Sequence, residues 1–384
     1  MTREEFDTLR RDDVRHAVAE NLGRDPVAVA LDRRIPNAAL VATQVKYLER
    51  ARTKLPSYYA ARCILPPRAF EQASSEPCAE HKELSGDTAL DLTCGLGVDA
   101  LALSRRFRRV VTLECDETLA AVTAWNLQQL GVKNVEVIRA SAEEYLAAAT
   151  ERFDWVYADP DRRDKAGRKL VRLEDCSPDI LRLLPAVRRT GARLCLKNSP
   201  LFDVDEALRL FPTARIEAVS LHGECKELLV YDDETGPLLT ATALGAGSAA
   251  FPPAATVAPP PQPFDPAAYR YLFLPDVALQ KMRLVRRALE GVADVWSENG
   301  FAFSRRPVEG VPGRTMEIAA IEPFDSKTLR RELRGAGIEA FKRDFPLDLA
   351  EIYARTGTHP GGERRLAFTR IGGKSWTIKL TTES

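Results

Sequence analysis

The stretch Thr88-Ala-Leu-Asp-Leu-Thr-Cys-Gly-Leu-Gly-Val-Asp-Ala100 constrains the fold more than any other part of this 384-residue chain. Ala89 to Leu92 reads as a buried strand and Cys94-Gly-Leu-Gly97 as a tight turn. Val98 to Phe107 reads as a helix whose Arg-rich end suits a helix C-terminus. Strand, glycine turn and helix form the unit that holds a nucleotide-like ligand over a helix N-terminus. Gly95 and Gly97 lack a Cβ, so a ligand is expected to lie directly on their backbone. The dinucleotide fingerprint needs a third glycine, and position 100 is Ala.

The continuation sharpens this. Arg109-Val-Val-Thr-Leu-Glu114 is a second strand ending in an acid about 20 residues after the turn, where a ribose diol would be gripped. Asp116 caps a helix running to Leu130, and Gly131 closes it. Val135 to Arg139 is a third strand, followed by Ser141 and Ala142. Phe153 to Ala158 is a fourth, ending in Asp159-Pro160-Asp161-Arg162-Arg163. A helix from Ser177, a fifth strand Arg193 to Lys197 with Asn198 after it, and a helix Asp203 to Leu210 follow. The strands Arg215 to Leu221 and Glu227 to Tyr231 form a close final pair.

Lys+Arg and Asp+Glu both number 55, so no global charge points to nucleic acid and local charge must carry that argument. The 7 Cys lack paired metal spacing, which predicts reduced thiols in a cytoplasmic protein and no metal site. No signal peptide and no apolar run long enough to span a bilayer are read.

Residues 1–84 read as a helical region. Its basic segment Gln44 to Tyr59 admits two readings: a nucleic-acid surface of cations beside aromatic rings, or a helix packed through Val45, Leu48 and Leu55. Ser74 or Ser75 can cap a helix. Residues 241–264, rich in Ala, Gly and Pro, read as a linker. A helix is expected over Val277 to Leu289, then a strand, helix, strand and helix between Thr315 and Tyr353. The chain closes in a hairpin turning at Gly372-Gly373. Arg370 and Lys374 belong to that basic hairpin, which is either an RNA-contacting surface or an ordinary solvated sheet.

The order of sites resembles the class I S-adenosylmethionine-dependent methyltransferases. More closely, Lys54-Leu-Pro-Ser-Tyr-Tyr59, Glu71-Gln-Ala-Ser-Ser-Glu76, Asp91 to Asp99, Asp159 to Asp164, Leu173-Glu-Asp-Cys176, Glu224-Cys-Lys-Glu227 and Phe368-Thr-Arg-Ile-Gly-Gly-Lys374 resemble the bacterial members with a C-terminal THUMP-like domain. The resemblance implies a Rossmann-like seven-stranded α/β sheet over 85–240, a ferredoxin-like small domain over 265–315 and a THUMP-like domain over 316–384. It implies S-adenosylmethionine as cofactor, held by Gln72, Ser74, Ser75, Asp91, Thr93, Cys94, Gly95, Gly97, Glu114, Cys115, Ser141, Ala142 and Asp159. Asp91 would meet the amino group or its water, Glu114 the ribose, Cys115 the adenine face and Ser141 its edge. Asp159, Pro160, Asp161 and Arg162 would be catalytic, with Arg163, Lys197, Asn198, Arg370 and Lys374 binding substrate. Arg162 and Arg163 admit three readings: stacking on a base or gripping phosphate, binding an anionic non-base substrate, or a structural ion network. By analogy RNA is the expected partner, methylated at a base nitrogen. The alternatives are a small-molecule or protein methyltransferase, or a non-catalytic RNA binder that retains the pocket.

Overall fold

The computed structural model describes residues 1–161, 173–253 and 263–381. The chain divides into two compact units, residues 1–202 with 229–236, and residues 203–228 with 237–384. No helix among the described residues is long and apolar enough to cross a membrane.

The first unit opens with seven short helices between Arg3 and His81, as the sequence leads one to expect. Ala38–Lys54 is the longest, and it buries Val41, Val45, Leu48 and Ala51 at three- and four-residue intervals. Of the two readings of the basic segment, its anchoring residues follow the packing one. Leu55 and Tyr58 are fully buried. The Lys54 ammonium donates to the carbonyls of Phe70 (2.6 Å) and Glu71 (3.3 Å), closing the C-terminal end of Pro67–Gln72. Arg50 pairs with Glu71.

The sheet of this unit holds β1 (Gly86–Asp91), β2 (Phe107–Glu114), β3 (Val135–Arg139), β4 (Trp155–Ala158) and β5 (Arg193–Asn198). Their order is β3-β2-β1-β4-β5, and every neighbouring pair is parallel. The buried runs Ala89–Leu90 and Trp155–Ala158 match the near-continuous apolar strands that a sheet covered on both faces demands.

In the second unit, β6 (Arg215–Leu221) turns through His222 and Gly223, with φ of 53° and 74°, into β7 (Glu224–Asp232). Positive φ at both positions is what a two-residue hairpin turn requires. The second half of β7 belongs to the first unit. The expected linker begins differently. β8 (Leu238–Ala243) pairs parallel to β6, and β9 (Gly247–Phe251) returns antiparallel to β8, so two strands join the seven expected. Of the segment 241–264, residues 254–262 lie outside the described residues.

A second sheet contains β10 (Tyr271–Pro275), β11 (Asp294–Val295), β12 (Ala302–Ser304), β13 (Gly313–Pro323), β14 (Gly337–Lys342), β15 (His359–Pro360), β16 (Arg364–Ile371) and β17 (Lys374–Leu380). Its order is β11-β12-β10-β13-β17-β16-β14-β15. β13 crosses the expected domain boundary at 315/316, pairing with β10 through Gly313–Glu317 and with β17 through Ile318–Pro323. The segments on either side of that boundary therefore share one sheet. The single helix expected from Val277 to Leu289 is broken into Val277–Lys281 and Val285–Ala288, with Arg283 at φ 56° between them. The closing hairpin is as expected: Gly372 and Gly373 take φ of 58° and 78° between antiparallel β16 and β17.

Candidate active site

Parallel strands deliver their C-terminal ends to one edge, so Asp91 (end of β1), Glu114 (end of β2) and Asp159 (just after β4) are neighbours by topology. Asp91 is fully buried. Its Oδ1 accepts from the Thr93 amide (2.9 Å) and hydroxyl (3.4 Å), and its Oδ2 accepts from the Thr112 hydroxyl (2.7 Å). The Thr93 oxygen in turn accepts from the Asp159 amide at 2.7 Å. Thr93 thus ties the ends of β1 and β4 together. Burial pushes the Asp91 carboxyl up to about 7, with the Thr112 and Thr93 hydrogen bonds pulling the other way.

The glycine turn is pinned from several sides. The Cys94 amide donates to Leu113 O, the Gly95 amide to Glu114 Oε2 (3.0 Å), and the Thr123 hydroxyl to Gly95 O (2.7 Å). From the helical region, the Tyr58 hydroxyl donates to Leu96 O at 3.1 Å. Both glycines have positive φ, 53° at Gly95 and 82° at Gly97, but they face different ways. A Cβ on Gly95 would meet nothing within 4 Å, whereas one on Gly97 would stand 2.6 Å from Thr123 Cγ2. The open backbone is therefore at Gly95. Gly97 serves close packing against the helix Glu117–Gln129, a correction to the expectation that both present bare backbone to a ligand.

Glu114 is half-buried, and its other oxygen accepts from the Asp116 amide (2.9 Å) and the Cys115 thiol (3.7 Å). Burial raises its carboxyl above the usual range, against the backbone donors from Asp116 and Gly95. A carboxylate has about four acceptor positions; the two amides and the Cys115 thiol take three, so a ribose diol would use the remaining one and displace the long thiol contact. Cys115 is exposed, whereas the Cys94 thiol is buried and its pKa is pushed far up by that burial. Ser141 is occupied as a helix cap: its hydroxyl accepts from the Glu144 amide (3.2 Å) and its amide donates to Glu144 Oε2 (3.1 Å). Ala142 is buried in the first turn behind it. An adenine-edge contact through the Ser141 hydroxyl or amide would have to compete with these bonds.

The segment before β1 approaches the same edge. Ser74 donates to Asp99 Oδ2 (2.8 Å), and Lys82 donates to Asp99 Oδ1 (2.8 Å). Burial works against the Asp99 carboxylate, but Lys82, Lys197 and the Ser74 hydroxyl hold it below the usual range. The Ser75 hydroxyl is buried without a hydrogen-bond partner among the described residues, as is Asn198 Oδ1. Gln72 and Arg68 each reach Asp161 Oδ2 at 3.4 Å, and Asp161 forms a two-bond backbone bridge with Ser177.

Lys197 forms an ion pair with Asp159 Oδ2, both side chains being largely buried (12% and 27% exposed). That contact makes Lys197 a partner of the Asp-Pro turn. Pro160 is buried. Arg162 and Arg163 lie outside the described residues. Arg370 and Lys374 belong to the second unit and are exposed at the end of the closing hairpin. Arg370 lines an open concavity of about 390 Å³ with Lys342, Asp344, Phe345 and Pro346.

The sequence reading passed over Asp99, Lys82, Thr112, Thr123 and Tyr58. Asp99 carried a signal, since an acid in the first turn of a helix favours the dipole. Lys82, Thr112 and Thr123 carried none, because their role depends on contacts 17 to 28 residues away in sequence.

Residues 69–157 match the family model described as tRNA (Uracil-5-)-methyltransferase, and residues 313–381 match the one described as THUMP domain-like. A tRNA/tmRNA (uracil-C(5))-methyltransferase of Neisseria meningitidis serogroup B is 30% identical over 164 residues, which is 36% of this chain and 44% of that protein. The serogroup A protein of the same name is 32% identical over 130 residues, 27% of this chain and 36% of that protein. The chain thus spans less than half the length of these curated relatives. A solved structure from Porphyromonas gingivalis W83, titled as a candidate methyltransferase, is 26% identical with a TM-score of 0.80, covering 97% of this chain and 98% of that one. Strand order, glycine turn and these likenesses give the chain the fold of the class I methyltransferases, with a THUMP-like segment over residues 313–381.

Proposed function

We propose that the chain is an S-adenosylmethionine-dependent methyltransferase acting on RNA. The observation that carries the reading is the open backbone face of Gly95, tied to Glu114 and set at the sheet edge that also holds Asp159. The names of the curated relatives, which are RNA methyltransferases, support the acceptor class.

The residues fit the cofactor. Gly95 presents bare backbone, Glu114 retains acceptor capacity for a ribose diol, and the unpartnered Ser75 hydroxyl and Asn198 Oδ1 are polar atoms that a ligand could satisfy. The cofactor, when bound, supplies an electrophilic methyl group on a sulfonium. The protein's part is alignment: Thr93 fixes the Asp159 backbone, and Lys197 fixes its carboxylate. Asp159 then keeps Oδ1 to accept from an amine and orient its nitrogen toward the methyl. We favour a base nitrogen because the Asp159-Pro160 turn offers a carboxylate acceptor for an exocyclic amine; the relatives' names specify carbon 5 of uracil, and the family-model match ends at Tyr157, before this turn. Arg162 and Arg163 lie outside the described residues, and the three readings stated for them, base or phosphate contact, anionic-substrate contact and structural ion network, all stay open. The cytoplasm is the compartment where such an RNA substrate would be met.

Calorimetry with S-adenosylmethionine tests the first step, and labelled-methyl incorporation into RNA from a strain lacking the protein tests the second. Asp159→Ala is expected to lower incorporation about 10²-fold, the scale of a misplaced reacting group, a larger loss than any it causes in cofactor affinity. Labelling of protein or small molecules with none of RNA would overturn the acceptor.

A pH dependence follows from Asp91. An acid raised to about 7 is neutral below that value and anionic above it, and only the anion attracts a cationic amino group. Cofactor affinity is therefore expected to rise roughly 5–10-fold between about pH 6 and about pH 7.5, before the α-amino group itself loses its proton near pH 8. Asp91→Asn should flatten that profile.

A further inference from the structure

We infer a second ligand site in the first unit, a pocket that takes a single nucleotide through its aromatic base and its phosphate. It does not rest on the methyl-transfer reading. The pocket has a volume of about 280 Å³ and is walled by Leu48, Ile64 and Trp125, with Arg15, His16 and Arg62 among its polar lining. That volume of about 280 Å³ lies just below the range of ligand clefts, which run from about 300 Å³ upward, so it suits one base and not two.

Three features argue for a ligand here. The first is charge. Arg15 and Arg62 have no carboxylate partner among the described residues, although most arginines of this unit do. Arg15 touches only the neutral Gln129 amide (3.3 Å) and the Trp125 ring (5.4 Å). Asp12 is the one carboxylate in the lining, His16 is matched to Glu20 at 3.1 Å, and burial pushes the Cys63 thiol up to about 12, leaving it neutral. The lining is therefore net cationic.

The second is shape. Trp125 is half-buried with the Arg15 guanidinium over its ring (5.4 Å), and Arg62 lies over the Tyr59 ring (5.0 Å). A base would share the indole with Arg15, and its phosphate would draw the two guanidiniums from these rings, stacking and guanidinium–phosphate pairing being the two elements of nucleotide recognition. The third is rigidity under strain. Arg62 sits at φ 53°, a conformation that is uncommon and costly for a side chain such as Arg. The backbone beyond it is clamped on both sides. Buried Asn126 exchanges two hydrogen bonds of 2.9 Å with Ile64, and buried Gln44 exchanges bonds of 2.9 and 3.2 Å with Leu65. The wall is thus built before any ligand arrives, with Arg62 held at its rim.

Trp125 is its own reporter. Titration of the full chain with uridine 5′-monophosphate, which lacks the adenine a cofactor site would recognise, should quench tryptophan emission saturably. Trp125→Phe should remove that signal. Arg15→Met keeps the aliphatic packing on Trp125, and Arg62→Gly removes the guanidinium without adding backbone strain; each should weaken binding at least fivefold. Uridine without phosphate should bind at least tenfold more weakly than the monophosphate. A short oligouridylate binding more tightly than the monophosphate, with the same sensitivity to Arg62→Gly, identifies an RNA strand as the source. A monophosphate that outcompetes it identifies a free nucleotide. No saturable quench, equal binding of uridine and its monophosphate, or a quench unchanged in both arginine variants would overturn the site.

Discussion

Replacing Lys82 with Met is expected to destabilise the first unit by about 3–5 kcal/mol, the cost of removing one partner from a buried ion pair. Lys82 and Asp99 are 3% and 13% exposed and 2.8 Å apart, and the ammonium also donates to Cys78 O at 3.2 Å. Met retains most of the aliphatic stem, so the loss is electrostatic, not a cavity. The Ser74 hydroxyl and the field of Lys197 would remain around Asp99, but neither replaces a direct cation. A double variant Lys82→Met, Asp99→Leu should recover much of the loss, because replacing both ions by apolar groups removes the desolvation that a lone carboxylate suffers. Chemical denaturation of the four proteins of this cycle checks both statements. A single variant within about 0.5 kcal/mol of the parent, the range of ordinary surface changes, would show that the pair does not hold the segment before β1 to the glycine-turn helix.

The same pair gives a pH signature. Asp99 is held below the ordinary carboxylate range in the folded state, so its stabilisation is present above the unfolded value of about 3.9 and is lost as pH falls through the lower folded value. The gap between parent and Lys82→Met is therefore expected to be full at neutral pH and to narrow on acidification, starting above about pH 4, because without Lys82 the burial of Asp99 raises its carboxyl in the variant.

Which parts of this molecule can be read without coordinates follows from the range of the interactions. Asp91, Glu114 and Asp159 are legible because strand ends are marked by apolar runs, and parallel strands send their ends to one edge. The hairpin at Gly372-Gly373 is legible because its turn chemistry is local. The direction a glycine faces is not local. Gly95 and Gly97 look alike in sequence, and only the position of Thr123 on another helix separates an open face from a packed one. Charge beside aromatics is equally ambiguous at Lys54 and Tyr58, which turn inward to cap a helix and to hold Leu96. The Ala- and Gly-rich composition around 241 hides β8, whose alternating pattern is short and is stabilised by parallel pairing with β6. The break at Arg283 has no Gly or Pro to announce it. Tertiary packing decides these cases, and propensity alone does not contain it.

The two glycines make the sharpest separation of structure from binding. Gly97→Ala places a Cβ 2.6 Å from Thr123 Cγ2 on a backbone at φ 82°. Left-handed strain of about 1–2 kcal/mol adds to an overpacking cost of about 1–3 kcal/mol. We expect a loss of about 3 kcal/mol and a fall of roughly 6–10 °C in the melting of a unit of this size. Relief should come in part from Thr123→Ser, which removes Cγ2 while keeping the hydroxyl that donates to Gly95 O. Gly95→Ala meets nothing within 4 Å, so it carries only the strain of φ 53°. Its methyl group would instead stand on the open face, and cofactor affinity should fall at least tenfold, about 1.4 kcal/mol, with a melting change of only a few degrees. Thermal melts and calorimetric titration of the two variants side by side read this contrast. Equal losses of stability with equal losses of affinity would mean that both glycines serve packing, and the ligand face would then have to be sought away from the turn.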